Sequence, residues 1–160
     1  MGTRCAPFVQ GILAYSNKDL IANGFIPETG TFRDEEVRVI PDIEEVIVAT
    51  INEVRKKNNY VFTTGGIGPT HDDITAKSIA KTFNIKYEVN KEAYKILESY
   101  YKPGEFNEGR QKMAWTPANA QLILNPTSGA PGFIVENIFC LPGVPSILKS
   151  MLGGLKNEIS

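Results

Sequence analysis

The fold of this chain turns on Tyr60-Val61-Phe62-Thr63-Thr64-Gly65-Gly66-Ile67-Gly68-Pro69-Thr70-His71-Asp72-Asp73-Ile74-Thr75. Tyr60 to Thr64 is β-branched and aromatic, and reads as a buried strand. Thr75 to Phe83 reads as a helix with Ala76, Ile79, Ala80 and Phe83 inward. Between them, glycines at 65, 66 and 68 permit positive φ and carry no side chains, so main-chain N–H groups can approach a phosphate closely. The following helix directs its positive end at the same place. The loop is neither a Walker A sequence, lacking Gly-Lys-Ser/Thr, nor a dinucleotide fingerprint, lacking the third glycine. By spacing alone, a tight turn before a helix explains it equally well. His71-Asp72-Asp73 adds chemistry: adjacent carboxylates at Asp72 and Asp73 can hold Mg²⁺ or Mn²⁺ together with substrate phosphates. Asp73 or Thr75 as a helix cap is the local alternative. His71, the one histidine, serves as a phosphate or metal contact or as a plain surface residue.

Outward from this unit, strands and helices alternate. Phe8 to Tyr15 and Val37 to Ile40 read as strands, the second ended by Pro41, and Asn17 to Gly24 as a turn or two of helix. Ile43, Val46, Ile47, Ile51 and Val54 recur at spacings of three and four, which predicts a helix facing inward with those five. Asp42 followed by Glu45 is a capping-box pattern, and Arg55-Lys56-Lys57 suits the helix C-terminus. Asn90 to Tyr101 predicts a helix using Ala93, Ile96, Leu97 and Tyr100, closed by Pro103-Gly104, and Glu108 to Trp115 a further helical stretch. Gln121 to Leu124 reads as a strand, Phe133 to Leu141 as a hairpin turning at Glu136-Asn137, and Pro145 onward as a helix. The alternation predicts an α/β fold, a three-layer α/β/α sandwich with a mostly parallel sheet made mixed by the late hairpin.

Composition narrows the function classes. The 160 residues suit a single domain spanning 1–160, and 42% apolar with 22% charged residues excludes a disordered tail or a fibrous repeat. Seventeen basic against eighteen acidic side chains give a net charge of -1, which argues against nucleic acid and against an anionic membrane as partners. Any phosphate-bearing ligand must therefore be held by local geometry. Cys5 and Cys140 form neither a disulfide framework nor a metal pattern, and no apolar run approaches a membrane span, so the expectation is a reduced, cytoplasmic protein.

Ligands of open α/β sheets bind beyond the carboxyl ends of strands. Three loops qualify: Pro41-Asp42, Thr64 to Thr75, and Leu141 to Ser146. Asp42 is an N-cap, a ligand to metal or substrate, or both. Arg110 and Lys112 are placed to neutralise phosphate charge or simply to face solvent. Ser128-Gly129-Ala130-Pro131-Gly132 is a flexible turn open to phosphate approach, and Pro142-Gly143-Val144-Pro145 a rigid one presenting a backbone edge.

Together these residues resemble the molybdopterin-binding (MoaB/Mog-like) domains of molybdenum cofactor biosynthesis, most closely the N-terminal domain of the CinA (competence-damage-inducible protein A) family. The resemblance rests on Arg38 to Asp42, Thr64 to Thr75, Asn107 to Met113, Ser128 to Phe133 and Leu141 to Pro145, in the family's order. It implies a phosphorylated nucleotide or molybdopterin in a cleft at the strand ends, with Asp42 and Asp73 as catalytic carboxylates. It further implies Asp72 and Asp73 as ligands to Mg²⁺, Mn²⁺ or Co²⁺, and a substrate lined by Gly65, Gly66, Gly68, Thr70, His71, Thr75, Arg110, Ser128, Gly129, Pro142 and Gly143. In the CinA-like branch the implied chemistry is metal-dependent cleavage of a nucleotide pyrophosphate such as ADP-ribose. In the cofactor-synthesis branch it is adenylyl transfer to molybdopterin, and a non-catalytic binding module is the third alternative. Residues 14–36 depart from the family pattern. Ser16-Asn17-Lys18-Asp19-Leu20-Ile21-Ala22-Asn23-Gly24 stands where the family has its first glycine loop, and too few residues follow for the family's long helix. An uncovered sheet face there predicts a homo-oligomer, a dimer or trimer.

Overall fold

The structure, a computed structural model, describes residues 9–15 and 36–159. The expected short helix at Asn17 to Gly24, the divergent first loop and Cys5 lie outside the described residues. Strand β1 (Val9–Tyr15) is followed by β2 (Glu36–Pro41), α1 (Glu44–Lys57), β3 (Tyr60–Thr64) and α2 (Thr75–Thr82). Then come β4 (Tyr87–Val89), α3 (Lys91–Tyr100), α4 (Glu108–Lys112), β5 (Trp115–Pro117) and β6 (Gln121–Ile123). The hairpin β7 (Gly132–Val135) and β8 (Ile138–Leu141) leads into α5 (Pro145–Ile159).

Six strands form one sheet in the order β2-β1-β3-β8-β7-β6. Its register alternates side chains between two apolar layers. On one face Val61, Ile138, Cys140, Phe133 and Val135 meet Ile47, Ile51 and Val54 of α1 and Ala76 and Ile79 of α2. On the other, Phe62, Phe139 and Leu141 meet Met151 and Leu155 of α5. The sandwich is thus three-layered. The sheet is mixed, but its parallel share is smaller than the alternation predicts: β3–β8 pairs parallel, whereas β1–β2, β1–β3, β6–β7 and β7–β8 pair antiparallel. Two physical causes account for this. The two-residue turn Glu136-Asn137 can join only antiparallel neighbours. And β1 lies between β2 and β3, opposed to both, so the two strands linked by α1 run the same way without touching.

Helix α1 begins at Glu44 with Ile43 in the N-cap position, one residue later than the Asp42/Glu45 capping box predicts. Ile43 is consequently 48% exposed rather than inward. Its last turn carries Arg55, Lys56 and Lys57, as the helix dipole favours. Asn137, in the hairpin turn, donates to the carbonyls of Arg55 at 3.0 Å and Asn58 at 2.9 Å, which ties β7–β8 to the end of α1. The Arg55 guanidinium lies 4.6 Å over the Phe83 ring and links α1 to α2.

The stretch Glu108 to Trp115 is helical only to Lys112; Trp115–Pro117 instead pairs with Tyr87–Val89 as a separate two-stranded sheet. Around it, Ala93, Leu97 and Ala114 make a small satellite core with Tyr94, Tyr101 and Phe106. Tyr100, expected inward, is 52% exposed, because the α3 stripe that reaches this core is Ala93 and Leu97. No helix among the described residues is long and apolar enough to cross a membrane.

Candidate functional site

Because β2, β3 and β8 point the same way, their carboxyl ends emerge together, and the three loops singled out by the sequence line one cleft. It encloses about 550 Å³ and is bounded by Asp42 from β2, Thr64 to Pro69 and Asp73 from the β3–α2 loop, and Pro142 to Val144 from the loop after β8. The rest of the lining is Met113, Asn125, Ser128, Ala130 and Ile147. The lining thus combines main chain and two carboxylates with the apolar side chains of Met113, Ala130 and Ile147, a mixture typical of small-molecule sites.

The glycine turn departs from β3 at Gly65, whose N–H donates to the Leu141 carbonyl at 2.9 Å and extends the parallel pairing by one bond. Gly65 has φ 93° and Gly66 φ 73°, left-handed values that side chains resist. The turn is then pinned to α2: the Thr75 N–H donates to the Gly66 carbonyl at 2.9 Å, and its hydroxyl to the Gly65 carbonyl at 3.1 Å. Thr75 is fully buried, so its hydroxyl braces the turn from behind and does not face the cleft. Gly143 approaches from the third loop; a Cβ there would lie 3.3 Å from the Gly65 Cα, so this close backbone contact favours a residue without one.

Asp73 is the best-defined carboxylate of the site. Its Oδ2 accepts from the Thr70 N–H at 2.9 Å and the Thr70 hydroxyl at 2.7 Å, while its own N–H donates to the Thr70 carbonyl at 3.2 Å. The carboxylate also lies against Gly68, where an added Cβ would fall 2.9 Å from Oδ2. Neither Asp73 nor Thr75 caps α2; the N-cap is Ile74, without a side-chain bond. Asp42 brings a second carboxylate into the cleft, with Oδ1 buried. Lys112, from α4, donates its ammonium to the carbonyls of Thr70 and Asp73, the latter at 2.7 Å. Burial lowers its pKa, opposed by the nearby Asp73 and Asp72 charges.

The remaining sequence candidates divide clearly. Gly65, Gly66, Gly68, Ser128, Pro142 and Gly143 line the cleft with Asp42 and Asp73. Thr70 is spent on Asp73. Asp72 turns away to His71, at 3.3 Å, and His71 is 93% exposed by side chain; the tight turn sends adjacent side chains in opposite directions, so Asp72 and Asp73 do not share the cleft. Arg110 is held off it as well, stacked 4.4 Å over the Tyr101 ring and donating to the Glu105 carbonyl at 2.6 Å. Gly129 (φ 80°) is filled from outside by Tyr100, whose ring would meet an added Cβ at 2.7 Å.

Asn125 was not singled out by the sequence. Its side chain accepts from the N–H groups of Thr127 and Ser128, both at 3.0 Å, and donates to the Ala130 carbonyl at 2.9 Å, so the Ser128–Ala130 wall is preformed. The Asn-Pro-Thr-Ser order is the only local signal for it. Among the described residues no group of three or more His, Cys, Asp and Glu side chains converges. Two carboxylates fit a hard Mg²⁺-like ion that keeps water and substrate phosphates as its other ligands, and do not fit an all-protein cage.

Residues 15–159 match the family described as "Probable molybdopterin binding domain". The chain is 35% identical over 116 residues to a protein of Archaeoglobus fulgidus, an alignment covering 72% of this chain and 49% of that one. It is 33% identical over 147 residues to a CinA-like protein of Thermosipho melanesiensis, covering 88% of this chain and 36% of that one. The crystal structure of the protein CinA with unknown function from Thermoplasma acidophilum superposes with a TM-score of 0.68 at 27% identity, over 74% of this chain and 73% of that one. The chain spans about half the length of the first curated relatives it matches. It belongs to the molybdopterin-binding domain family and is CinA-like within it.

Proposed function

We propose, from membership of this family and the geometry above, that the cleft binds a phosphorylated nucleotide or pterin and cleaves a nucleotide pyrophosphate of the ADP-ribose kind with a divalent metal. The observation that carries the reading is that Asp42 and Asp73, leaving two different strands, line the same cleft as the bare main chain of Gly65 to Gly68. Main-chain N–H groups of a glycine turn at a helix start suit phosphate oxygens without any basic surface, and the net charge of -1 supplies none. The apolar side chains of Met113, Ala130 and Ile147 in the same lining suit a heterocycle.

In this reading the glycine turn binds and orients the diphosphate, and Asp42 and Asp73 would hold Mg²⁺, Mn²⁺ or Co²⁺. When bound, the cation supplies charge neutralisation at the phosphoryl oxygens. Water adds at phosphorus and the bridging P–O bond breaks, releasing AMP and a sugar phosphate.

Incubation with ADP-ribose and Mg²⁺, Mn²⁺ or Co²⁺ should release AMP, and Asp73→Asn should lower that release about 10²–10³-fold. Adenylylated pterin from ATP and molybdopterin, with no AMP from ADP-ribose, would replace this reading by adenylyl transfer. Silence in both assays, with nucleotide still protecting against heat, would leave a binding module.

A further inference from the structure

The Asp73 carboxylate is held from within its own turn, and the main chain of that turn is gripped from outside the loop. Thr70 uses both its donors on Oδ2, and Gly68 offers no side chain to displace the group. That leaves Oδ1 as the oxygen without those bonds. Thr70 to Asp72 are exposed, and the bonds between Thr70 and the Asp73 carboxylate stay within the turn. Lys112 ties it to a distant element. Its ammonium, on a helix 39 and 42 positions further along the chain, reaches the carbonyls of both Asp73 and Thr70, the two ends of the turn. A trans peptide points its N–H opposite to its C=O. Holding both carbonyls therefore restrains the rotation of the peptides at the two ends of the turn, and with them the main chain from which the Asp73 side chain projects.

Helix α4 is itself anchored. The Asn107 side chain accepts from the Arg110 N–H at 3.0 Å, Gln111 donates to the Phe106 carbonyl at 2.9 Å, and Met113 and Phe106 enter the satellite core. A rigid support thus ends in a flexible stem whose head binds only main chain. Nothing in that arrangement requires a cation at this position for packing.

We propose that Lys112 is a positioning residue of this site, acting through the Thr70–Asp73 turn to hold the Asp73 carboxylate in the orientation that takes a divalent cation. This rests on the reading of Asp73 as a cation-holding carboxylate. Groups that orient a metal ligand typically change affinity or activity about 10–100-fold when removed.

The test uses the full chain with Mn²⁺ and ADP-ribose as probes. Mn²⁺ binding in the presence of ADP-ribose is titrated calorimetrically in the wild type, Lys112→Met and Lys112→Arg. Lys112→Met, which keeps the stem, should weaken Mn²⁺ about tenfold or more, and Lys112→Arg, which keeps charge and donors, should restore most of the affinity. AMP release should follow the same order through the Mn²⁺ concentration giving half the maximal rate. Unchanged Mn²⁺ affinity in Lys112→Met overturns the proposal, as does a loss that Lys112→Arg fails to restore. Should Lys112→Met not fold, Thr70→Val removes a hydroxyl bond to Asp73 while keeping shape, and must also weaken Mn²⁺. A wild type that binds Mn²⁺ without releasing AMP overturns the proposed reaction and leaves the comparison of variants intact; a wild type that binds no Mn²⁺ overturns both.

Discussion

Two hollows of similar size, both bordered by α5, differ in what lines them. The cleft at the strand ends encloses about 550 Å³, and a groove between the β6 edge and α5 about 440 Å³. The groove is lined by Leu122, Ile123, Leu124, Ile134, Met151, Gly154 and Leu155, with Glu92 and Gln121 at its rim. One carboxylate at a rim and a wall of side chains offer little to an anion. The cleft collects three strand ends, two left-handed glycines and two carboxylates from separate loops. Volume alone does not separate the two; the convergence of main-chain donors and charge does.

The comparison can be broken from either side. The largest effect is expected in the cleft: Asp73→Asn should lower metal-dependent AMP release about 10²–10³-fold, with far-UV circular dichroism unchanged. Equal turnover would remove the carboxylate from the chemistry. In the groove the effect should be on stability alone. Leu155→Ala deletes a side chain only 2% exposed against Phe62 and Phe139, and should cost about 2–5 kcal/mol in urea unfolding while nucleotide protection of the remaining folded protein persists. Loss of protection in that variant would make the groove part of the site.

Gly66→Val forces a β-branched residue to φ 73° at the turn and should cost about 1–2 kcal/mol while abolishing heat protection by ADP-ribose. Gly154→Ala should do the reverse, since a Cβ there meets nothing within 4 Å and helical alanine is favoured over glycine by about 1 kcal/mol. A raised Tm with unchanged ligand binding sharpens the contrast; weakened binding reverses it. The smallest effect is electrostatic. Arg38 and Lys57 hold the Glu53 carboxyl down to about 2, below its usual 4.5. The pair therefore contributes fully above about 4.5 and is lost as pH falls toward 2, a dependence that Glu53→Gln should flatten in acid unfolding.

Much of this architecture was legible in the sequence because it is written locally. Strand β3 keeps the bounds that Tyr60 to Thr64 predicts, and the β7–β8 turn falls at Glu136-Asn137. The antiparallel entry of β1 was not legible, since no periodicity within β1 records which strand it separates. The β4–β5 ladder was missed for a related reason: three residues ending on Pro117 carry no pattern long enough to tell strand from helix. In the site, Asp42, the glycines, Asp73 and the Pro142-Gly143 edge converge as their positions at strand ends imply. Asp72, His71 and Arg110 do not, because side-chain direction within a turn and a stacking partner such as Tyr101 are set by tertiary contacts. Lys112 reads as a surface base until its contact with a turn some forty residues earlier is seen.

The most direct measurement is a crystal structure of the full chain soaked with ADP-ribose and Mn²⁺, with anomalous data collected for the metal. The expected result is a Mn²⁺ peak bonded to Asp42 and Asp73, with diphosphate oxygens on the N–H groups of Gly66 to Gly68. A nucleotide seated in the β6–α5 groove, or one in the cleft with the glycine turn untouched and no metal beside Asp73, would contradict it.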